Sequence, residues 1–359
     1  MKFIKSLLSV ACVTALAGCS STDVIDDVKK SESTRIGFST NMNKNSRAMD
    51  NSNFSNFFVY GTYTVGTSSQ PVQVFMGDRV NKNSNGAWTY SNDRYWNPQG
   101  SYDFYAYSCE NSALAVALSG HASLNGRYLN LVDFMVTPDH CSHDLVYAYA
   151  LHQSRPAHVE GTVSEPVAFS FKHILTRLRF SFKSEIPGDN YTVKISNVKI
   201  VNYYNSANFL GSTREWTSHA RVAEAGSAPE LPLTLPSGGV IQKPVNGKAQ
   251  RDVVTTDAVF MIPYAYREAN VIIEFDFDMQ APDSNGQLKD VMGSHITATW
   301  QPNWLKGYSV NNVITLNGSA TGMDPIRFTA SIVPEQGAAE DGWIISGSTG
   351  NFVFDQSFN

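Results

Sequence analysis

Six consecutive residues, Asp139-His140-Cys141-Ser142-His143-Asp144, concentrate side chains that could bind a soft metal. Zinc wants three or four converging nitrogen and sulfur ligands. Neighbouring side chains on an extended segment point to opposite faces, so His140 shares a side with Asp144, or Cys141 with His143. No second Cys/His cluster completes a set. The segment therefore reads as a loop entering a strand at 145–150, and neither a metal nor another cofactor is expected. Glu274, Asp276 and Asp278 offer the paired carboxylates that acid–base hydrolysis uses. Their strict alternation with Ile273, Phe275, Phe277 and Met279 describes the solvated face of a strand instead. His173, inside FSFKHILTRL, reads as a hydrogen-bonded structural histidine. Gly-x-Ser-x-Gly, His-Glu-x-x-His, phosphate-binding glycine loops and dinucleotide fingerprints are all absent from the sequence. The chain offers no catalytic constellation and is not expected to be an enzyme.

Cys19 carries a different chemistry. Lys2 and Lys5 sit about an apolar run, residues 3–17, too short to span a bilayer. That is the layout of a secretory signal. Leu16-Ala17-Gly18-Cys19 resembles the lipobox of bacterial lipoproteins. The resemblance implies that residues 1–18 are removed and that the Cys19 thiol takes a diacylglycerol. Acyl chains then tether the chain to a membrane, each buried CH₂ contributing about 0.8 kcal/mol. Cys12 leaves with the signal, so only Cys109 and Cys141 of the four cysteines remain in the body. They are a candidate disulfide pair in an oxidising compartment, or two buried thiols.

The elements that must carry these residues read as strands. The chain has 359 residues, which suggests two domains of ordinary size, and 42% hydrophobic content provides for real cores. A net charge of −5 argues against nucleic acid as a partner. Charged residues make up only 16%, a profile of β-rich extracellular proteins. Residues 20–34 are polar and unpatterned, like a tether. Ile36, Phe38 and Thr40 then alternate with Gly37 and Ser39 as a lone strand, followed by a polar stretch at 41–56. Period-2 alternation recurs at 102–107, 178–183, 271–279 and 326–332. In YTVKISNVKI the apolar phase flips from Val193 and Ile195 to Val198 and Ile200, which predicts a bulge or turn at Ser196-Asn197. Turns are expected at Asn85-Gly86, 187–189 and 282–286, and a helical turn or two near 111–118. The fold class is mainly β, most simply two tandem antiparallel β-sandwiches divided near 161–165.

The order of these phrases resembles one family. A lipobox, a lone strand (35–40) and Asn45-Ser46-Arg47-Ala48 resemble the precursors of the Bacteroidetes fimbrillins, the type V pilins. Trp88-Thr89-Tyr90, Tyr95-Trp96-Asn97-Pro98 and YDFYAY at 102–107 resemble its body motifs, as do DLVYA at 144–148 and FKHILTRL at 171–178. Trp304-Leu305-Lys306-Gly307-Tyr308 and IRFTASI at 326–332 resemble its closing motifs. The likeness covers nearly the whole chain, in order.

The resemblance implies transthyretin-like sandwiches, with residues 1–18 as signal, 19–47 as tether and removable strand, 48–163 as the first domain and 164–359 as the second. It implies an outer-membrane lipoprotein at the cell surface, cut by an arginine-specific protease between Arg47 and Ala48; Arg35 is the poorer site because cutting there leaves the strand attached. Ile36, Phe38 and Thr40 then form a plug strand. Its loss opens a groove for a strand from another pilin subunit. The donor is expected near the C-terminus, either around Ile326, Phe328, Ala330 and Ile332 or around Trp343, Ile345, Phe352 and Phe354. Two alternatives stand beside this reading. One is a non-polymerising surface lipoprotein that binds a host or bacterial glycan or protein through Trp88 and Trp96; the other is an enzyme using His140 and His143.

Overall fold

The computed structural model of the chain describes residues 35–41, 54–66, 70–109, 114, 118, 120–157, 164–223, 227–265, 271–318, 327–334, 344–345 and 350–355. The alternating stretches at 102–107, 178–183 and 271–279 lie within strands, as do the described residues 327–332. In Val271–Pro282, residues Val271, Ile273, Phe275, Phe277 and Met279 are buried, while Glu274, Asp276 and Asp278 lie on the open side. Leu114 and Leu118 are helical and buried. The remaining described elements are almost entirely β.

Numbered along the chain, the strands form five sheets. One sheet takes β2 (Asn56–Val65), β3 (Val72–Lys82), β4 (Trp88–Thr89), β5 (Gly100–Cys109), β8 (Leu145–Gln153) and β10 (Lys172–His173) in the order β10-β8-β5-β2-β3-β4. The short strands β1 (Phe38–Asn41) and β9 (Val167–Ser170) pair in parallel beside it. A four-stranded sheet runs β14 (Glu215–Ala220), β13 (Ser206–Leu210), β7 (Tyr128–Met135), β6 (Ala122–Asn125).

The other two sheets belong to the second half of the chain. In one, β11 (Thr176–Glu185) lies parallel to β23 (Tyr308–Asn317) and antiparallel to β18 (Val254–Thr255) and β19 (Val259–Met261). Strands β24 (Arg327–Pro334) and β25 (Ile344–Ile345) pair with β23. The last sheet centres on β12 (Thr192–Val201), β21 (Val271–Pro282) and β22 (Leu288–Trp304), joined by β15 (Glu230–Pro232), β16 (Val240–Val245), β17 (Lys248–Arg251), β20 (Tyr264–Ala265) and β26 (Gly350–Asp355).

Local chemistry explains the irregularities. The phase flip in β12 is a bulge: the register with β21 shifts between Ser196 and Lys199, and Asn197 takes a left-handed φ of 52°. Asn tolerates that conformation better than most side chains, and its amide donates to Asp276 Oδ2 at 2.5 Å. In the hairpin between β21 and β22, Gly286 takes φ 77°. There Asp283 Oδ1 accepts from the Asn285 and Gln287 N–H groups, an Asx-type turn.

Two hydrophobic cores result. The smaller holds Ile36, Phe38, Phe57, Phe75, Tyr90, Trp96, Phe104, Val146 and Phe169 with their neighbours. The larger runs from Phe58 through Tyr107, Leu131, Phe209 and Phe275 to Leu316. The first sheet is buried on both faces, because Tyr102, Phe104 and Ala106 face the smaller core and Tyr105, Tyr107 and Cys109 the larger. Strands β13 and β14 follow residue 164, yet they share a sheet with β6 and β7, which precede it. The larger core is therefore continuous across the expected divide.

Candidate functional site: a strand-filled aromatic groove

Five rings gather around the side chain of Phe38, which is 5% exposed. Phe169 stacks on it at 5.6 Å between centroids, Phe75 and Phe104 meet it edge-on at 5.3 and 5.8 Å, and Phe57 and Tyr90 lie at 6.1 and 5.7 Å. Each such pair contributes about 0.5–1.5 kcal/mol beyond the area it buries. Ile36, two residues earlier and therefore on the same face, is fully buried in the same core.

Hydrogen bonds fix the strand along its length. The Ile36 N–H donates to the Arg94 carbonyl at 2.8 Å, and the Tyr90 hydroxyl donates to the Ile36 carbonyl at 2.6 Å. The Val167 N–H donates to the Gly37 carbonyl at 2.8 Å, which starts the parallel ladder to β9. Burial pushes the Tyr90 hydroxyl above its ordinary pKa, so it stays a neutral donor. At the entrance Arg35 pairs with Asp93 at 2.7 Å and lies over the Tyr90 ring, 5.1 Å from its centre. Arg94 braces the floor, its Nε donating to the Val74 carbonyl at 3.0 Å and its guanidinium covering Phe75.

Without residues 35–41 this region would be open. Among the described residues β9 pairs only with β1, so an edge of backbone donors and acceptors would face solvent. The rings of Phe57, Phe75, Phe104 and Phe169, each now fully buried, would line an apolar cleft. The lone alternation Ile36-Phe38-Thr40 was the readable half of this arrangement; Thr40 continues it as a half-buried residue of β1. The receiving segment carries a similar short alternation, Val167, Phe169 and Phe171.

The remaining expected site residues fall as follows. Cys19, Arg47 and Ala48 lie outside the described residues, as do Ile326 and Trp343. Both candidate donor segments form strands within their own chain. In β24, Phe328, Ala330 and Ile332 stand opposite Leu316, Ile314 and Asn312 of β23. Ile345 of β25 stands opposite Ser309. In β26, Phe352 and Phe354 stand opposite Trp300 and Ala298 of β22.

Cys109 and Cys141 are both buried and are not joined by a disulfide in this structure. Both pack as small apolar groups in the larger core. Around Cys141 the chain turns, with the His140 and Cys141 N–H groups both donating to the Thr137 carbonyl. Asp144 points inward instead, accepting from the Leu145 N–H at 2.7 Å and from His173 Nδ1 at 2.6 Å. His173 is thereby the hydrogen-bonded structural histidine expected. Burial, then the neighbouring His140, holds His143 below the ordinary histidine pKa. No group of three or more His, Cys, Asp and Glu among the described residues is arranged to hold a metal. Trp96 and Tyr90 are buried and Trp88 packs against the same core, leaving Tyr95 exposed. No described helix is long and apolar enough to cross a membrane.

Comparison with known proteins adds the family. A family model described as fimbrillin-like matches residues 40–329. A crystal structure of a candidate cell adhesion protein from Bacteroides uniformis is 17% identical, with 83% of this chain and 97% of that one covered and a TM-score of 0.42. A similar protein from Bacteroides eggerthii is 11% identical, covering 84% and 93%, with a TM-score of 0.40. The fimbrial anchor protein Mfa2 from Porphyromonas gingivalis is 10% identical, covering 88% and 98%, with a TM-score of 0.32. No curated protein matches.

Proposed function

This chain belongs to the fimbrillin-like family, and from that membership we propose that it is a fimbrial subunit whose first strand is a removable plug. The precursor is exported as a lipoprotein on Cys19 and held at the outer membrane. An arginine-specific protease cuts between Arg47 and Ala48, and the segment bearing Ile36, Phe38 and Thr40 leaves. A C-terminal strand of the next subunit then fills the groove. Its backbone pairs with the exposed edge of β9, and alternate side chains occupy the sites of Ile36 and Phe38.

The observation that carries this reading is the placement of Phe38 among five rings. A short strand at the start of the chain supplies the centre of a core that the body leaves unfilled. The C-terminal strands β24 and β26 pair at present within their own chain, so donation requires one of them to exchange partners. Treating the purified precursor with an arginine-specific protease should remove everything up to Arg47 and yield heat-sensitive multimers on a gel. Cut protein that stays monomeric overturns the assembly step.

A further inference from the structure

A second site lies on the opposite face of the first sheet, at the end where its core opens to solvent. Tyr105 of β5 and Tyr149 of β8 are cross-strand partners. Tyr128 of β7 meets Tyr105 edge to face, with ring centres 6.3 Å apart. From the turn between β13 and β14, Arg214 lays its guanidinium over Tyr149, 4.6 Å from the ring centre. Arg127, just before β7, reaches Asp103 of β5 at 3.8 Å. Four separate stretches of chain thus converge on one patch.

The exposure pattern is that of a site rather than a core. Tyr128 and Tyr149 are 37% and 36% exposed, and Arg214 is exposed. Beneath them Tyr105 is 2% exposed, and its hydroxyl has no hydrogen-bond partner among the described residues. A buried hydroxyl left unpaired costs stability, so an orphan in the floor of an open patch signals a ligand that completes it. Burial, then the Asp103 carboxylate, pushes the Tyr105 pKa up, which keeps that hydroxyl a donor.

Arg214 is held ready. Its backbone takes a left-handed φ of 61°, its N–H donates to the Leu210 carbonyl, and the Arg214 carbonyl accepts from Lys306 Nζ. Its side chain makes no hydrogen bond or ion pair with described residues, only the stack on Tyr149. Arg127 and Arg214 against Asp103 leave one positive charge here, on a chain whose net charge is −5.

We propose that this patch binds an anionic sugar. A pyranose ring lies against Tyr128, its carboxylate or sulfate is held by Arg214, and ring hydroxyls bond to the Tyr105 hydroxyl and to Asp103 Oδ2. Asp103 Oδ1 already accepts from the His152 N–H at 2.9 Å. Arginine matches a carboxylate or sulfate with two parallel donors. An exposed aromatic face beside paired donors and acceptors suits a sugar rather than a bare ion. Asp103 would repel a compact, multiply charged phosphate but accepts readily from a hydroxyl. Tyr149 acts as a positioning residue through Arg214. None of this depends on strand exchange, so the site can stand or fall independently of assembly.

The test is calorimetric titration of the purified protein with glucuronate-terminated, sialylated and sulfated oligosaccharides and their neutral counterparts. Carboxylated or sulfated sugars should bind and neutral ones at least tenfold more weakly; which acidic arm binds identifies the anion. Arg214→Gln should weaken binding by about ten- to a hundredfold, the range for one charge-assisted hydrogen bond. Tyr128→Ala should weaken it at temperatures where the variant stays folded, and Tyr128→Phe should retain it. As a control that needs no variant, wild-type binding should fall with added salt. The proposal is overturned by no binding, by equal affinity for neutral sugars, or by Arg214→Gln and Tyr128→Ala binding like the wild type. It is also overturned if the affinity proves to be for a peptide.

Discussion

Replacing Phe38 by Ala removes the centre of the groove while leaving its walls in place. A buried Phe→Ala change typically costs about 3–5 kcal/mol, through lost transfer energy and the cavity left behind. Phe38 should lie at the upper end, because it is 5% exposed and touches five rings. Ordering the seven residues 35–41 costs roughly 7–14 kcal/mol of backbone entropy. Ile36, Phe38 and a handful of hydrogen bonds must offset that cost. Losing about 3–5 kcal/mol should therefore open the strand locally before the body unfolds. The assays are dye binding to exposed apolar surface, amide exchange at Val167–Ser170, and cutting at Arg35 by an arginine-specific protease. All three should rise in Phe38→Ala, while exchange in β21 and β22 stays slow. An added peptide of residues 35–41 should reverse the change, and the same peptide with alanine at position 38 should not. If Phe38→Ala binds no dye and protects β9 like the wild type, Phe38 does not hold the plug and the groove reasoning fails.

Other perturbations have equally definite outcomes. Asp144→Ala strands the Leu145 N–H and His173 Nδ1 in the core, so urea unfolding should show a loss of about 2–4 kcal/mol. Burial pushes the Cys141 thiol up to about 11, so at pH 7–8 the thiolate is scarce and a thiol reagent should label Cys141 only on unfolding. Burial raises the Asp276 pKa, but hydrogen bonds from His295 and Asn197 outweigh it and hold the carboxyl low. Its stabilising effect is thus complete above the ordinary aspartate value of about 3.9 and is lost as pH falls through the folded value. Carboxyl NMR of His295→Ala should show Asp276 titrating nearer that ordinary value.

Much of this molecule was legible from local pattern, because a strand with one open face writes its geometry into alternate residues. Val271 to Met279 gave their inward face directly, and the phase flip after Ile195 located the bulge at Asn197. Ile36 and Phe38 likewise announced a buried face. What stayed hidden were long-range partners. Nothing local to β1 says that it runs parallel to β9, nor that β11 runs parallel to β23 some 130 residues on. Two-sided burial also blurs the signal. In β11 the polar side is partly covered, with Arg177 and Ser181 buried and Ser181 bonded to Thr255 and Asn311 of the adjoining strands. The Tyr105–Arg214 patch was unreadable for the same reason, since its residues are scattered along the chain and meet only through cross-strand pairing and the turn between β13 and β14.

The plug is the central claim, and the N-terminal residue of this subunit recovered from cell-surface fibres tests it most directly. Removal of the strand predicts Ala48 as the first residue and no trace of Ile36 to Thr40 in the mature chain. A blocked, acylated Cys19 still joined to Phe38 in the assembled fibre would contradict it.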